Sequence, residues 1–141
     1  MIKMGCDPGS STGLAVWDEG LQCLIANKTV RAAEAADWAL NFARIYSPQV
    51  ILIEKPGAAI FPRRGQGRLQ MLKIARNVGQ CQALADEIQR TLEREGFKSR
   101  TVPPAKSMTK WSTQMFARVF GYKGRSSSHS RDAAVIARFG N

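Results

Sequence analysis

The sequence is poor in the residues that build disulfides and zinc sites. Of its 141 residues only three are cysteine, Cys6, Cys23 and Cys81, and one is histidine, and no two cysteines have CxxC spacing. A disulfide framework or structural zinc site is therefore not expected, and the cysteine content fits a reducing cytoplasm. No apolar run approaches the roughly 20 residues of a membrane span, and the N-terminus lacks a signal-peptide apolar region. We expect a cytoplasmic protein with no membrane partner.

Acidic residues are also scarce. The chain has 11 aspartates and glutamates against 21 lysines and arginines, a net charge of +10. Two tracts without any acid, 55–85 and 97–131, hold 14 of the basic residues. This segregation favours a basic face that contacts phosphate, as in a nucleic-acid-binding protein. The alternative is a basic surface without a polyanionic partner.

The apolar pattern predicts one α/β domain over residues 1–141. Val50 to Ile53 is an unbroken apolar run, which is typical of a central parallel strand. A meander followed by alternating strands and helices predicts a five-stranded mixed sheet flanked by helices. The predicted strands are 2–7, 14–17, 21–29, 50–53 and 97–102, and the predicted helices are 31–46, 68–95, 105–120 and 130–139.

Three carboxylates occupy the ends of these elements. Asp7 ends the first strand, Glu54 ends the fourth, and Asp132 lies in the first turn of the predicted last helix. Acids clustered on a basic surface suit metal-assisted phosphodiester cleavage, because the acids hold divalent cations while the basic tracts hold the nucleic acid. Asp7 could instead begin a turn, and Asp132 could be an acid that interacts favourably with the N-terminal end of the helix dipole. Glu54 is harder to explain without a partner, since it directly follows an apolar run.

Four segments carry a resemblance to a known family. In chain order, MGCDPGSSTGLAVW, LIEKP, ARNVGQCQALADEI and SHSRDAAVIA resemble the RuvC-type Holliday junction resolvases, whose fold is ribonuclease H-like. The likeness spans most of the chain. The chain is compact for that family, which favours a phage-type or trimmed member. The resemblance implies an active site of Asp7, Glu54, His129 and Asp132. It also implies two Mg²⁺ or Mn²⁺ ions per active site.

His129 and two lysines extend this predicted site. A lone histidine is often structural, but His129 and Asp132 are three residues apart on one predicted helix, so both lie on the same face. We therefore predict that His129 is a metal ligand, at a position that is aspartate in some family members and histidine in others. Lys106 and Lys110 fall where the family has lysines that support catalysis, with Lys106 assigned to the catalytic set. A solvated helix face is the alternative interpretation of both lysines.

The predicted function is structure-selective cleavage of four-way or branched DNA. Many relatives place an aromatic wedge just after the second acid, and here Phe61 is the candidate. Two matched nicks in one junction require two active sites related by a two-fold axis, which implies a homodimer that the helix at 68–95 could form. The predicted DNA contacts are Phe61, Arg63, Arg64, Arg68, Lys73, Arg76, Lys106, Lys110, Lys123 and Arg125.

Other functions share parts of this pattern. The DPGSSTG segment also resembles the first phosphate loop of the actin and sugar-kinase fold, but 141 residues cannot supply both lobes of such a kinase. Ribonuclease H and YqgF-type RNA-processing nucleases share the first motif, and the sequence does not settle DNA against RNA. A non-catalytic junction-binding protein would be expected to have lost a carboxylate, whereas this chain has all of them.

Overall fold

Strands and helices follow one another in the predicted order, βββαβαβαα. The computed structural model describes residues 1–57, 65, 67–104 and 110–141. Within these residues no helix is long and apolar enough to cross a membrane. The strands are β1 (Ile2–Asp7), β2 (Ser11–Asp18), β3 (Cys23–Arg31), β4 (Val50–Glu54) and β5 (Ser99–Val102). The helices are α1 (Ala35–Tyr46), α2 (Arg68–Arg94), α3 (Thr113–Phe120) and α4 (Ser128–Phe139), with a short 3-10 turn over Ala32–Glu34.

The five strands form one mixed sheet, which confirms the predicted α/β architecture. Their order is β3-β2-β1-β4-β5, with β1 antiparallel to β2 and parallel to β4. Cys6 pairs with Ile53, so the following residues, Asp7 and Glu54, leave neighbouring strands at the same edge. The parallel pairing of β1 with β4 therefore brings together two acids that are far apart in sequence.

Helices cover both faces of the sheet. On one face, β-sheet side chains such as Met4, Leu14 and Ile51 form a buried core with Phe42 of α1 and Ile88 of α2. On the other face, a second core joins the sheet to α3 and α4 through Ala15, Trp17, Phe116, Phe120, Ala133 and Ala137. The unbroken apolar run of β4 reflects this burial on both sides.

Helix α4 lies directly on the backbone of the sheet. A Cβ atom added to Gly13 would lie 1.9 Å from the His129 carbonyl oxygen, and one added to Gly5 would lie 2.1 Å from the carbonyl oxygen of Ala133. Only glycine permits such an approach of backbone to backbone. Because Gly13 pairs with Asp7, the first turn of α4 comes to rest beside the end of β1.

The start of α4 differs from the prediction. The helix begins at Ser128, two residues earlier than expected, because Ser127 caps it: the Ser127 hydroxyl accepts from the Ser130 N–H, and the Ser130 hydroxyl accepts from the Ser127 N–H. Asp132 consequently lies in the second turn, and the prediction of a first-turn position was wrong. Its presence is therefore not explained by the helix dipole, which acts within the first turn.

Helix α3 is shorter than predicted. It begins at Thr113, where the Ser112 hydroxyl accepts from the Met115 N–H at 3.1 Å and caps the helix. The preceding residues 110–112 are not helical. Residues 105–109, the start of the predicted helix, lie outside the described residues.

Candidate active site

The four predicted ligands are brought to one edge of the sheet. Asp7 and Glu54 end β1 and β4, and α4 carries His129 and Asp132 across the same edge. His129 Nδ1 lies 3.2 Å from Asp7 Oδ2, within hydrogen-bonding distance. The charge of Asp132 raises the pKa of both Asp7 and Glu54, which places all three carboxylates in one electrostatic environment. The structure therefore brings His129 into contact with Asp7, and places Glu54 and Asp132 near enough for their charges to interact, although these residues lie as much as 125 positions apart in sequence.

Negative charge is crowded at this edge. Burial, reinforced by the charges of Asp7 and Asp132, raises the pKa of Glu54 to about 7. Burial also raises the pKa of Asp7, although the hydrogen bond from His129 opposes it. The pKa of Asp132 is raised by burial and lowered by the nearby charge of Lys110. The site therefore favours an added positive charge, whether a proton or a cation.

The turn after Asp7 is held by Thr12. This buried side chain donates from Oγ1 to the Gly9 carbonyl at 3.0 Å and accepts from the Gly9 N–H at 3.3 Å. The two bonds close the connection between β1 and β2 immediately after the carboxylate, so the end of β1 is rigidly placed. The hydroxyl residues of DPGSSTG suggested a turn, but the sequence does not indicate that Thr12 closes it.

Helix α2 holds the segment after Glu54. Lys55 Nζ lies 2.6 Å from Asp86 Oδ1, and Gln82 Nε2 donates to the Pro56 carbonyl at 3.0 Å. Lys55 belongs to the first basic tract, but this ion pair uses its charge within the protein. The pairing fixes the end of β4 against α2 and so limits the movement of Glu54.

Helix α4 is anchored at its first turn by contacts that sequence reasoning missed. Besides the reciprocal bonds between Ser127 and Ser130, the hydroxyl of Thr29 on β3 bonds to the hydroxyl of Ser127. These contacts fix the turn that carries His129. The only sequence signal was the serine run 126–128, which is equally typical of a linker.

The remaining predicted contacts divide into two groups. Lys110 is exposed, and its charge lowers the pKa of Asp7 and Asp132, so it acts on the carboxylates electrostatically. Phe61, Arg63, Arg64 and Lys106 lie outside the described residues. Five further cations are exposed and form no ion pair with the described part of the chain: Arg68, Lys73 and Arg76 on α2, and Lys123 and Arg125 between α3 and α4.

The donor set fits a hard divalent cation by its chemistry. Carboxylate oxygens are the preferred ligands of Mg²⁺, and Mn²⁺ also accepts imidazole nitrogen. Among the described residues, however, no three histidine, cysteine, aspartate or glutamate side chains stand together as a ready ligand group. Burial, together with the negative charges of Asp7 and Asp132, raises the pKa of Glu54 to about 7, and this is the observation that favours a cation here.

The raised pKa of Glu54 predicts a pH-dependent stability change. Its pKa of about 7 exceeds its ordinary value of 4.5, so the folded protein retains a proton that the unfolded chain releases. The associated stabilisation is complete below pH 4.5 and is lost as pH rises through 7. Glu54→Gln should therefore stabilise the metal-free protein by about 1–2 kcal/mol near pH 8, after allowance for partial exposure, and hardly at all near pH 4. Urea unfolding with a chelator measures this, and an equal effect at both pH values would contradict it.

Solved structures provide the comparison with known proteins. The chain is similar to Thermus thermophilus RuvC in complex with a Holliday junction substrate, with a TM-score of 0.67 and 18% identity, over 97% of this chain and 90% of that one. A second structure of Thermus thermophilus RuvC gives a TM-score of 0.64 and 19% identity, over 97% and 91% of the two chains. The fold is therefore of the RuvC type, within the ribonuclease H-like class, which confirms the predicted fold. No family model matches the sequence, and no curated protein matches it.

Proposed function

We propose that this protein is a divalent-metal-dependent endonuclease that resolves four-way or otherwise branched DNA. The observation that carries the proposal is the convergence of Asp7, Glu54, His129 and Asp132 at one sheet edge of a RuvC-type fold. The junction-bound relative of similar structure supports branched DNA as the substrate class. The net charge of +10 supports a polyanionic partner.

The four side chains are proposed to hold two Mg²⁺ or Mn²⁺ ions. When bound, divalent ions would supply positive charge to the scissile phosphate and lower the pKa of a coordinated water. Glu54, with a pKa of about 7, would exchange its proton for the cation's charge near neutral pH. His129 can offer a nitrogen only as the neutral imidazole, and its position beside Asp7 keeps that nitrogen at the carboxylate cluster.

Exposed cations on both sides of the site are proposed to hold the DNA backbone. Helix α2 presents Arg68, Lys73 and Arg76 to solvent, and Lys123 and Arg125 precede α4. The charge of Lys110 lowers the pKa of Asp7 and Asp132, so this lysine is proposed to contact the phosphate to be cleaved. The roles of Phe61, Arg63, Arg64 and Lys106 in wedge insertion, backbone contact and catalysis stay predictions.

Neutralising α2 should weaken the salt dependence of junction binding. The double variant Arg68→Gln/Arg76→Gln is expected to reduce the slope of log affinity against log salt by about 1.8, because each lost phosphate contact on duplex DNA removes about 0.9. The matched control is Arg90→Gln/Arg94→Gln, which removes two exposed arginines from the other end of the same helix. Fluorescence anisotropy at several salt concentrations gives both slopes. Equal slopes for the two double variants would show that the N-terminal half of α2 does not contact the backbone.

We further propose that the protein acts as a homodimer, with α2 in the interface. Leu69 and Leu72, near the start of α2, are 83% and 57% exposed. Such large apolar side chains are unfavourable in water and suit a surface that another subunit covers. A two-fold pair would also provide the two active sites needed to nick a junction symmetrically.

A parallel cleavage assay tests the proposed substrate class. A mobile four-way DNA junction, a linear DNA duplex and an RNA–DNA hybrid are incubated with the protein in Mg²⁺, Mn²⁺ or Ca²⁺. We expect cleavage of the junction in Mg²⁺ or Mn²⁺, and binding without cleavage in Ca²⁺, whose larger and looser coordination shell fits the two-ion geometry poorly. Preferential cleavage of the hybrid would instead support an RNA-processing nuclease, and binding without cleavage in every metal would support a junction-binding protein.

A further inference from the structure

Arg131 is used within the protein, although sequence counting placed it in the second basic tract. Its Nε donates to the Trp111 carbonyl at 3.0 Å. Its Nη1 donates to Thr113 Oγ1 at 3.3 Å, and to the carbonyl and the hydroxyl of Ser126 at 3.3 and 3.1 Å. The guanidinium therefore ties three separate places in the chain to the second turn of α4.

These bonds fix the segment that carries Lys110. Trp111 directly follows Lys110, and Arg131 directly precedes Asp132, so the bond from Arg131 to the Trp111 carbonyl joins the segment of Lys110 to the turn of α4 that carries Asp132. The Trp111 side chain adds a second anchor, since its ring meets Phe120 edge-on at a centroid distance of 5.7 Å. Residues 110–112 lie outside the helices and strands, and Ser112 is joined to α3 only as its cap, so this segment takes its position from such contacts.

We propose that Arg131 is a positioning residue that fixes the segment of Lys110 against the turn of α4 that carries Asp132. Its acceptors are neutral carbonyl and hydroxyl oxygens, and it forms no ion pair within the described residues. The side chain is partly buried, and its Nε and Nη1 donate to these protein atoms. A planar guanidinium with several fixed donors suits this bridging, whereas the single ammonium of a lysine cannot reproduce it.

The charge of Lys110 at Asp7 and Asp132 supports this placement. A cation at this point can neutralise charge that develops on a bound phosphate, provided that its position is fixed beforehand. The inference that Arg131 affects catalysis therefore rests on the proposed nuclease function. The inference that it fixes residues 110–113 depends only on its contacts.

A double-mutant cycle tests the catalytic part of the inference. Arg131→Gln and Lys110→Ala should each lower kcat for junction cleavage about 10- to 100-fold, because the first misplaces the lysine, an effect of this size for a shift of about 1 Å, and the second removes it. The junction Kd of Arg131→Gln should be unchanged. The double variant should cleave no more than about twofold more slowly than Lys110→Ala alone, since Arg131 acts through Lys110. Arg131→Lys should recover little of the lost rate, and Arg118→Gln, which removes an exposed arginine from α3, should cleave like the wild type.

Hydrogen exchange tests the structural part independently of cleavage. Arg131→Gln should accelerate amide exchange in residues 110–115, whereas Lys110→Ala should leave that exchange unchanged. Unchanged exchange in Arg131→Gln would overturn the inference whether or not the protein is a nuclease. The inference would also be overturned if the losses in cleavage rate of the two single variants added in the double variant. A raised junction Kd of Arg131→Gln with a reduced salt slope would overturn it too, because it would show that Arg131 contacts DNA. If Arg131→Gln accelerates exchange as expected but the wild-type protein cleaves no junction, only the proposed function is overturned.

Discussion

Asp7→Asn, Glu54→Gln and Asp132→Asn are each expected to reduce single-turnover cleavage of a four-way junction about 1,000-fold or more, on the scale of removing a residue essential to catalysis. Each change keeps the size of the side chain but removes a negative charge from the crowded edge where these acids meet. Without that charge the site would hold a divalent cation more weakly. Junction affinity should stay within about threefold of wild type, because the basic surface supplies most of the binding free energy.

Asp37→Asn is the matched control for these variants. Asp37 is an exposed acid in the first turn of α1, outside the candidate site. Its replacement should leave the cleavage rate unchanged, which shows that loss of one negative charge is not sufficient to stop the reaction. Rates are compared at saturating protein and fixed Mg²⁺. If Asp7→Asn retains most of the metal-dependent cleavage, the assignment of this edge as the active site is wrong.

The second large effect is expected from Gly13→Ala. The added Cβ would lie 1.9 Å from the carbonyl oxygen of His129 and 2.8 Å from the backbone nitrogen of Ser130. Neither atom can rotate away, because both belong to the backbone of α4. Helix α4 must therefore move away from β2, which should lower the free energy of unfolding by about 2–3 kcal/mol. The same movement displaces His129 and Asp132 from Asp7, so cleavage should fall about 100-fold.

Gly79→Ala is the matched control for this change. Gly79 lies within α2, and a Cβ there meets no atom within 4 Å. Since alanine favours a helix by about 0.8–1.0 kcal/mol over glycine, this variant should be as stable as wild type or slightly more so. Urea unfolding and junction cleavage are measured for both variants. A Gly13→Ala protein with wild-type stability and activity would show that α4 does not need its close approach to the sheet.

The sequence predicted the sheet and the meeting of the acids for clear physical reasons. An unbroken apolar run that ends in an acid places Glu54 at the end of a buried strand. The three-residue spacing of His129 and Asp132 defines a shared helix face wherever the helix begins. These local patterns carry most of the fold, and parallel pairing of the first and fourth strands brings Asp7 to Glu54.

Contacts between distant segments could not be predicted in the same way. Gly13 falls just before the predicted strand 14–17, yet it lies in β2 beneath α4, and only the packed structure shows that contact. The serine run 126–128 is equally typical of a linker, whereas Ser127 caps the helix together with Ser130. Lys55 and Arg131 were counted with the phosphate-facing charges, although both are bonded within the protein. Residue type alone does not tell a charge that contacts DNA from one that holds the fold.

Helix α2 shows a further limit of periodicity. Apolar residues recur along it at helical spacing, but only the C-terminal part, including Ile88 and Leu92, is fully buried. Ile74 and Val78 are half-buried, and Leu69 and Leu72 are exposed. A helical repeat identifies an apolar face without showing what covers it. For the first turns of α2, we propose that the cover is a second subunit.

The most direct test of a junction resolvase is the pattern of nicks that the wild-type protein makes in a mobile four-way DNA junction labelled on each strand in turn. In Mg²⁺ or Mn²⁺ we predict paired nicks at symmetric positions in two opposite strands, with the linear duplex of the same sequence left uncut. Loss of the nicks in Glu54→Gln at equal junction occupancy would assign them to the edge where Asp7, Glu54, His129 and Asp132 meet. No nicks in either metal, or equal cleavage of the linear duplex, would contradict the proposed function.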